Sequence, residues 1–255
     1  MVWVVSVACH SVRVRPETQT AEPTSGGRAD HANRRPTAPS TAPGPDTPRR
    51  SRRSTEVDER PAAELPGSTG EHLLQEAHGT EKRARRFYDD QVLDHLNTRM
   101  REFIARMEMA FVATADGGGE CDASLRAGPP GFIEVLDDHH LAYPEYRGNG
   151  VMASLGNISE NPHLGMLMVD FTEDLIGLHV NGTAEIVEDS DLRARHPELP
   201  VEFDRGRTPE RWVVVEVEEA YIHCRKHIPR MVPMLRKRSW GTDDAKRKGG
   251  SYFTD

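Results

Sequence analysis

Between residues 109 and 221 the chain is a series of short apolar runs, each closed by a turn signal, and this restricts the fold more than any other feature. The run 109–114 stops at Asp116-Gly117-Gly118-Gly119, a glycine stretch that reads as a hairpin turn because glycine reaches positive φ without steric cost. Residues 121–126 return as a second strand and 132–136 make a third. Asp137-Asp138-His139 then turns the chain into 140–143. Residues 163–171 and 175–188 form a long apolar hairpin. The run 211–221 sets Val213, Val215 and Val217 against Val214 and Glu216 with a period of two. Residues 151–160 read as a helix that Asn161-Pro162 ends. Hairpin connections imply an antiparallel sheet, and about six strands favour closure into a barrel, which removes exposed edges. The expected fold is therefore mainly β, a six-stranded antiparallel barrel with flanking helices.

Helical composition covers 81–107, with Phe87, Val92, Leu93, Leu96, Met100, Phe103, Ile104 and Met107 mostly three or four apart. This predicts two short helices or one bent one. Upstream the composition changes. Residues 1–70 hold nine of the 18 prolines and no apolar periodicity, so they cannot bury enough surface to offset the cost of ordering a backbone. A disordered N-terminal arm over 1–70 and one folded domain over 71–255 are expected.

Charge divides at the same point. Residues 1–70 carry 10 Lys/Arg and 8 Asp/Glu, leaving 23 and 33 for the remainder, a net −10 for the folded part. An acidic domain argues against a nucleic-acid partner, and the Arg49–Arg53 cluster reads as a solvated tail. The apolar start, Met1 to Cys9, lacks a basic n-region and is short for a signal peptide, and no later run has the length of a membrane span. Cys9, Cys121 and Cys224 are too few and scattered for a disulfide framework, which suits a reducing cytoplasm.

The segment 141–157 carries the chemistry. A strand runs into Arg147 and Asn149 flanked by Gly148 and Gly150, then into a helix with Ser154 and Asn157 in its first turns. Arg147 offers charge and a donor fork, the glycines permit close backbone approach, and a helix N-terminus presents free N–H groups. The residues alone fit either an anion cradle or a polar loop with an ordinary helix cap.

The pattern Tyr143-Pro144-x-Tyr146-x-Gly148-Asn149-Gly150-x-x-x-Ser154-Leu155-x-Asn157-x-x-x-Asn161-Pro162 resembles the cofactor segment of the pyridoxamine 5′-phosphate oxidase-like family of FMN-binding split barrels, in particular its bacterial branch. The strand 122–128 and the later Tyr221-Ile222-His223-Cys224-x-Lys226 extend the resemblance over about 79–240. It implies a split barrel that receives the phosphate of a flavin at this strand–loop–helix segment. Ser124 and Arg126 would contact the flavin ring or its ribityl chain, and Arg147, Asn149 and Ser154 would hold the phosphate. Lys226 or Arg225 would approach the flavin across a homodimer interface. The biosynthetic oxidases place an Arg-Lys pair where Ala153-Ser154 stands here, and their C-terminal Arg and His substrate motif is missing.

The resemblance implies an FMN-dependent oxidoreductase acting on an unidentified small molecule, with NADH or NADPH as a candidate electron donor. The alternatives are a non-catalytic flavin- or haem-binding module and a deazaflavin-dependent reductase. No residue reads as a required acid, base or nucleophile. His223, Cys224 and His227 are close in sequence, but neighbours at a strand end point to opposite faces, so no metal site is expected. Arg236-Lys237-Arg238 and Lys246-Arg247-Lys248 read as solvated tails, and Trp240 as packing on the barrel.

Overall fold

The computed structural model describes residues 2–3, 65–203, 207–234, 244–250 and 252–253. Most of the arm expected over 1–70, the Arg49–Arg53 cluster, Arg236–Arg238 and Trp240 lie outside the described residues. Helix α1 (Thr69–His78) opens on a capping box. The Ser68 hydroxyl accepts from the Glu71 N–H at 3.2 Å, and the Glu71 carboxylate accepts from the Ser68 N–H at 2.7 Å. Helices α2 (Glu81–Gln91) and α3 (Thr98–Ala105) follow, so the helical stretch is two segments rather than one. The break falls where Leu93 leaves the helix and exchanges two backbone hydrogen bonds with Ala220, at 3.0 and 2.7 Å, which pins the helices to the sheet.

Seven strands form one sheet: β1 (Met109–Ala115), β2 (Cys121–Ala127), β3 (Glu134–Val135), β4 (His140–Glu145), β5 (His163–Val169), β6 (Gly177–Glu188) and β7 (Arg211–His223). Their order is β2-β1-β5-β6-β7-β4-β3, and every neighbouring pair is antiparallel. Each strand corresponds to a run read from the sequence, seven against an expected count of about six, and the strand expected over 132–136 is reduced to Glu134–Val135 at the edge of the sheet. Val2–Trp3 and Pro233–Met234 make a separate two-residue antiparallel pair.

One core explains why the sheet curls. Val112 of β1, Leu141 of β4, Met166 of β5, Val180 of β6 and Val215 of β7 all lie in a single buried cluster. Strands from across the sheet can share one cluster only if their inner faces wrap around it, which makes the sheet a split barrel. Phe103 and Ile104 of α3 and Ile158 of helix α4 (Ala153–Glu160) close the cluster. At roughly 25 cal/mol per Å² of apolar surface buried, this shared interior is the main stabilising term.

The longest ladder joins β6 to β7 and contains one irregularity. Asn181 pairs with Glu219 and Gly182 with Val217, so Glu218 is the extra residue of a bulge. A Cβ on Gly182 would stand 1.9 Å from the Glu216 carbonyl oxygen, so only glycine fits there. A second, smaller cluster forms around Trp212, Leu192, Leu199 and Val187. Helix α5 (Asp189–Arg195) supplies Leu192 and was not expected from the sequence. Trp212 Nε1 donates to Asp189 at 2.8 Å, and Arg193 ties the helix to the Leu199 and Pro200 carbonyls at 2.7 and 2.8 Å.

The β5–β6 turn is built on Asp170. Its carboxylate accepts from the backbone N–H groups of Thr172, Glu173 and Asp174 at 2.8, 3.0 and 2.9 Å, and from the Thr172 hydroxyl at 2.8 Å. Burial alone would raise its pKa, but these donors outweigh burial and hold it at about 2. An unfolded aspartate titrates near ~3.9. The stabilisation is therefore complete above about pH 4 and is lost as the pH falls towards 2. Asp170→Asn should lower stability at pH 7 by about 2 kcal/mol and flatten the acid limb of a pH–stability curve. Gly182→Ala should lower the free energy of denaturant unfolding by about 2 kcal/mol or more, since neither backbone can yield without breaking the ladder.

Candidate functional site

The register sets Asp122, Ser124 and Arg126 of β2 opposite Thr114, Val112 and Ala110 of β1, all three of which are buried inside the barrel. Cross-strand partners share a face, so β2 turns a polar face inward where the other strands turn apolar ones. Its outward Leu125, opposite Phe111, is 55% exposed. Polar residues at positions that the pattern reserves for a core mark a functional site.

Helix α4 lies over this polar face. Asn157 Nδ2 donates to the Thr114 hydroxyl at 3.1 Å, and the Gly117 N–H donates to Glu160 at 3.1 Å, which fixes the helix against the β1–β2 hairpin. The N-terminal end of α4 opens on a cleft of about 610 Å³ lined by β2, by Glu145 and by residues 146–155. Here Met152 takes a left-handed conformation, φ 55°, and no side chain caps the first turn. The orphan N–H groups and positive dipole end of α4 are thus available to a ligand. Gly150, φ 84°, makes the preceding turn, and the Asn149 side chain accepts from the Val151 N–H at 3.0 Å, bracing it.

Three side chains form a hydrogen-bonded chain at the floor. Ser154 Oγ donates to Asp122 Oδ2 at 3.1 Å, and the Ser124 and Ser154 hydroxyls are 3.1 Å apart. Ser154 is only 5% exposed. Beside them Arg126 pairs with Glu145 at 2.7 Å and stacks on the ring of Tyr143. Burial raises the Glu145 pKa, and the Arg126 charge offsets that only partly. Burial also raises the pKa of the Tyr143 phenol against the opposing charge of Arg126, and the Tyr143 hydroxyl and Arg126 Nε are both enclosed by the protein. A second cleft of about 550 Å³ continues past Arg126 and Glu145 to Arg207, whose guanidinium lies 4.1 Å from the Tyr146 ring centre. Burial pushes the Tyr146 pKa up to about 12 even though the Arg207 charge opposes it.

Five of the sequence-derived residues, Ser124, Arg126, Arg147, Asn149 and Ser154, line the first cleft together. Lys226 does not reach it within its own chain. Arg211, which lines the cleft, begins the 13-residue β7, and Lys226 lies beyond the other end in an exposed turn. At ~3.3 Å per residue the two ends are separated by roughly 40 Å of strand. His223 hydrogen-bonds His179 at 3.0 Å. Among the described residues no three His, Cys, Asp or Glu side chains gather as for a metal ion, and no helix is long and apolar enough to cross a membrane.

Asp122, Glu145 and Arg211 are site residues that the sequence reading did not assign. The period-two series Asp122, Ser124, Arg126 could have revealed the first, and only the pairing of β4 with β7 brings Glu145 to Arg211. Three carboxylates, Asp122, Glu145 and Glu210, thereby stand among three arginines, Arg126, Arg147 and Arg211.

Fold and cleft define a split β-barrel with a candidate site where an edge strand meets a helix N-terminus. The chain belongs to the pyridoxamine 5′-phosphate oxidase family, whose model matches residues 96–224. Similar solved structures include HupZ of Group A Streptococcus, 25% identical over 49% of this chain and 90% of that one, with a TM-score of 0.38. An FMN-binding protein from Syntrophomonas wolfei is 12% identical over 66% and 100% of the two chains, TM-score 0.36. An F420 reductase is 19% identical over 48% and 94%, TM-score 0.31. No curated protein matches the sequence.

The Arg126–Glu145 pair should be interdependent. Arg126→Gln alone leaves a carboxylate buried beside Tyr143 and should cost about 3 kcal/mol of stability, whereas the Arg126→Gln/Glu145→Gln double variant should recover most of it in urea denaturation.

Proposed function

We propose that this protein is a flavin-binding oxidoreductase that takes FMN in the cleft between β2 and α4 and acts on a small molecule. The observation that carries this reading is the uncapped N-terminus of α4, set beside Arg126 and Arg147 in a chain of this family. The donors present suit a phosphate-bearing group.

Arg147 and the first N–H groups of α4 hold the phosphate, and Gly148 and Gly150 let it approach the backbone. Asn149 braces that loop. Ser124 and Arg126 would face the ring or the ribityl chain, and Ser154 would join Arg147 at the phosphate. Bound flavin supplies reversible two-electron transfer between a small organic substrate and oxygen or a nicotinamide such as NADH or NADPH. The exposed apolar pair Phe111 and Leu125 offers a surface for a second copy, from which Lys226 approaches the flavin. The exposed free thiols Cys121 and Cys224 support a reducing, cytoplasmic setting.

A second reading, a deazaflavin reductase, draws on the carboxylates that stand among the cleft arginines and weaken the attraction for a terminal phosphate dianion. Mass spectrometry of cofactor released from native protein separates the two. Titration with FMN should quench flavin fluorescence at a saturable site, and Arg147→Ala should weaken binding about tenfold. Lys226→Ala should weaken it only in the dimer. Turnover with NADH or NADPH distinguishes an enzyme from a binding module. Colourless protein that takes up neither FMN nor a deazaflavin would sink the proposal.

A further inference from the structure

A count of protons in the cleft floor changes what its hydroxyls can recognise. A serine hydroxyl has one proton to donate, and an ionised carboxylate has none. The 3.1 Å contact between Ser154 Oγ and Asp122 Oδ2 therefore uses the Ser154 proton. The 3.1 Å contact between the two hydroxyls must then use the proton of Ser124, and the other acceptor near Ser124, the Val112 carbonyl at 3.5 Å, would use the same proton. In either arrangement both hydroxyls offer only lone pairs to the cleft. Ser154, 5% exposed and held by α4 against β2, has little freedom to choose another partner.

We infer that Asp122 is a specificity-determining residue that makes the Ser124–Ser154 floor acceptor-only, so that it takes ligand N–H or O–H groups and turns phosphate away. Phosphate oxygens are themselves acceptors, so lone pairs backed by a carboxylate repel them. Arg147 and the backbone N–H groups of α4 remain for the phosphate, and the serines are left for hydroxyls of a ribityl chain or N–H groups of a ring or substrate. This rests on the flavin reading for the identity of the ligand, but the polarity of the floor follows from Asp122 and the serines alone. It also moves Ser154 from a phosphate ligand to an acceptor that Asp122 orients.

Asp122→Asn tests the inference, because the amide can donate to Ser154 and release its proton into the cleft. Asp122→Ala serves the same purpose should the Asn variant fold poorly by thermal denaturation. Two probes are used: inorganic phosphate, followed by its stabilisation of the full-length protein, and the ratio of the dissociation constants of riboflavin and FMN. Either variant should bind phosphate about tenfold or more tightly than the parent and shift the ratio towards FMN by a similar factor. Adding Ser154→Ala should abolish that gain. The inference is overturned if phosphate affinity and ratio stay within about twofold, or if the gain survives in the double variant, which would make it a bulk charge effect. Should the parent bind no flavin while Asp122→Asn still gains phosphate affinity, the flavin reading fails and the role of Asp122 stands. The reverse result, flavin bound but no gain, fails Asp122 and leaves the flavin reading intact.

Discussion

The barrel depends on the close approach of two backbones at Gly182. Here the β6–β7 ladder carries an extra residue on β7, and the Glu216 carbonyl occupies the space that any side chain would need. Bulges increase local twist, and a sheet whose central ladder is coiled at this point can bring distant strands around one core. Without that curvature Val112, Leu141 and Val215 would belong to a flat sheet with two separate faces. The helices then follow from the barrel. Leu93 bridges Ala220 just beyond the bulge, and α3 and α4 close the ends of a core that already exists.

A closed interior makes the polar face of β2 informative. Asp122, Ser124 and Arg126 occupy inward positions next to buried Val112 and Ala110, so each must be satisfied by a neighbour or by a ligand. Asp122 and Ser154 satisfy one another, and Arg126 has Glu145. The uncapped start of α4 opens on the same cleft. The scaffold under it is rigid. Trp212, fully buried and tied through Asp189 to α5, pairs in register with Pro144 one residue from Glu145. A site that combines cations, carboxylates and free backbone donors selects ligands by arrangement more than by net charge.

The sequence by itself determined the strands, their turns and the inserted helix, because those signals are local. Period two along 211–221, glycines after Asp116 and proline after Asn161 act within a few residues of where they stand. It also placed Arg147, Asn149 and Ser154 together, since one loop and one helical turn hold them. Helix α5 was not legible, because its short charged run becomes helical only when Leu192 packs on Trp212. The tertiary structure alone decided the rest. Asp122 meets Ser154 across 32 positions of chain, and that contact takes up the Ser154 proton. Arg126 finds Glu145 only because the barrel brings β2 and β4 to one rim, and Lys226 stands apart from both because β7 runs the full length of the barrel between them. A pattern of residue types records which elements will form. Which polar groups face one another depends on register between distant strands, and the core sets that register.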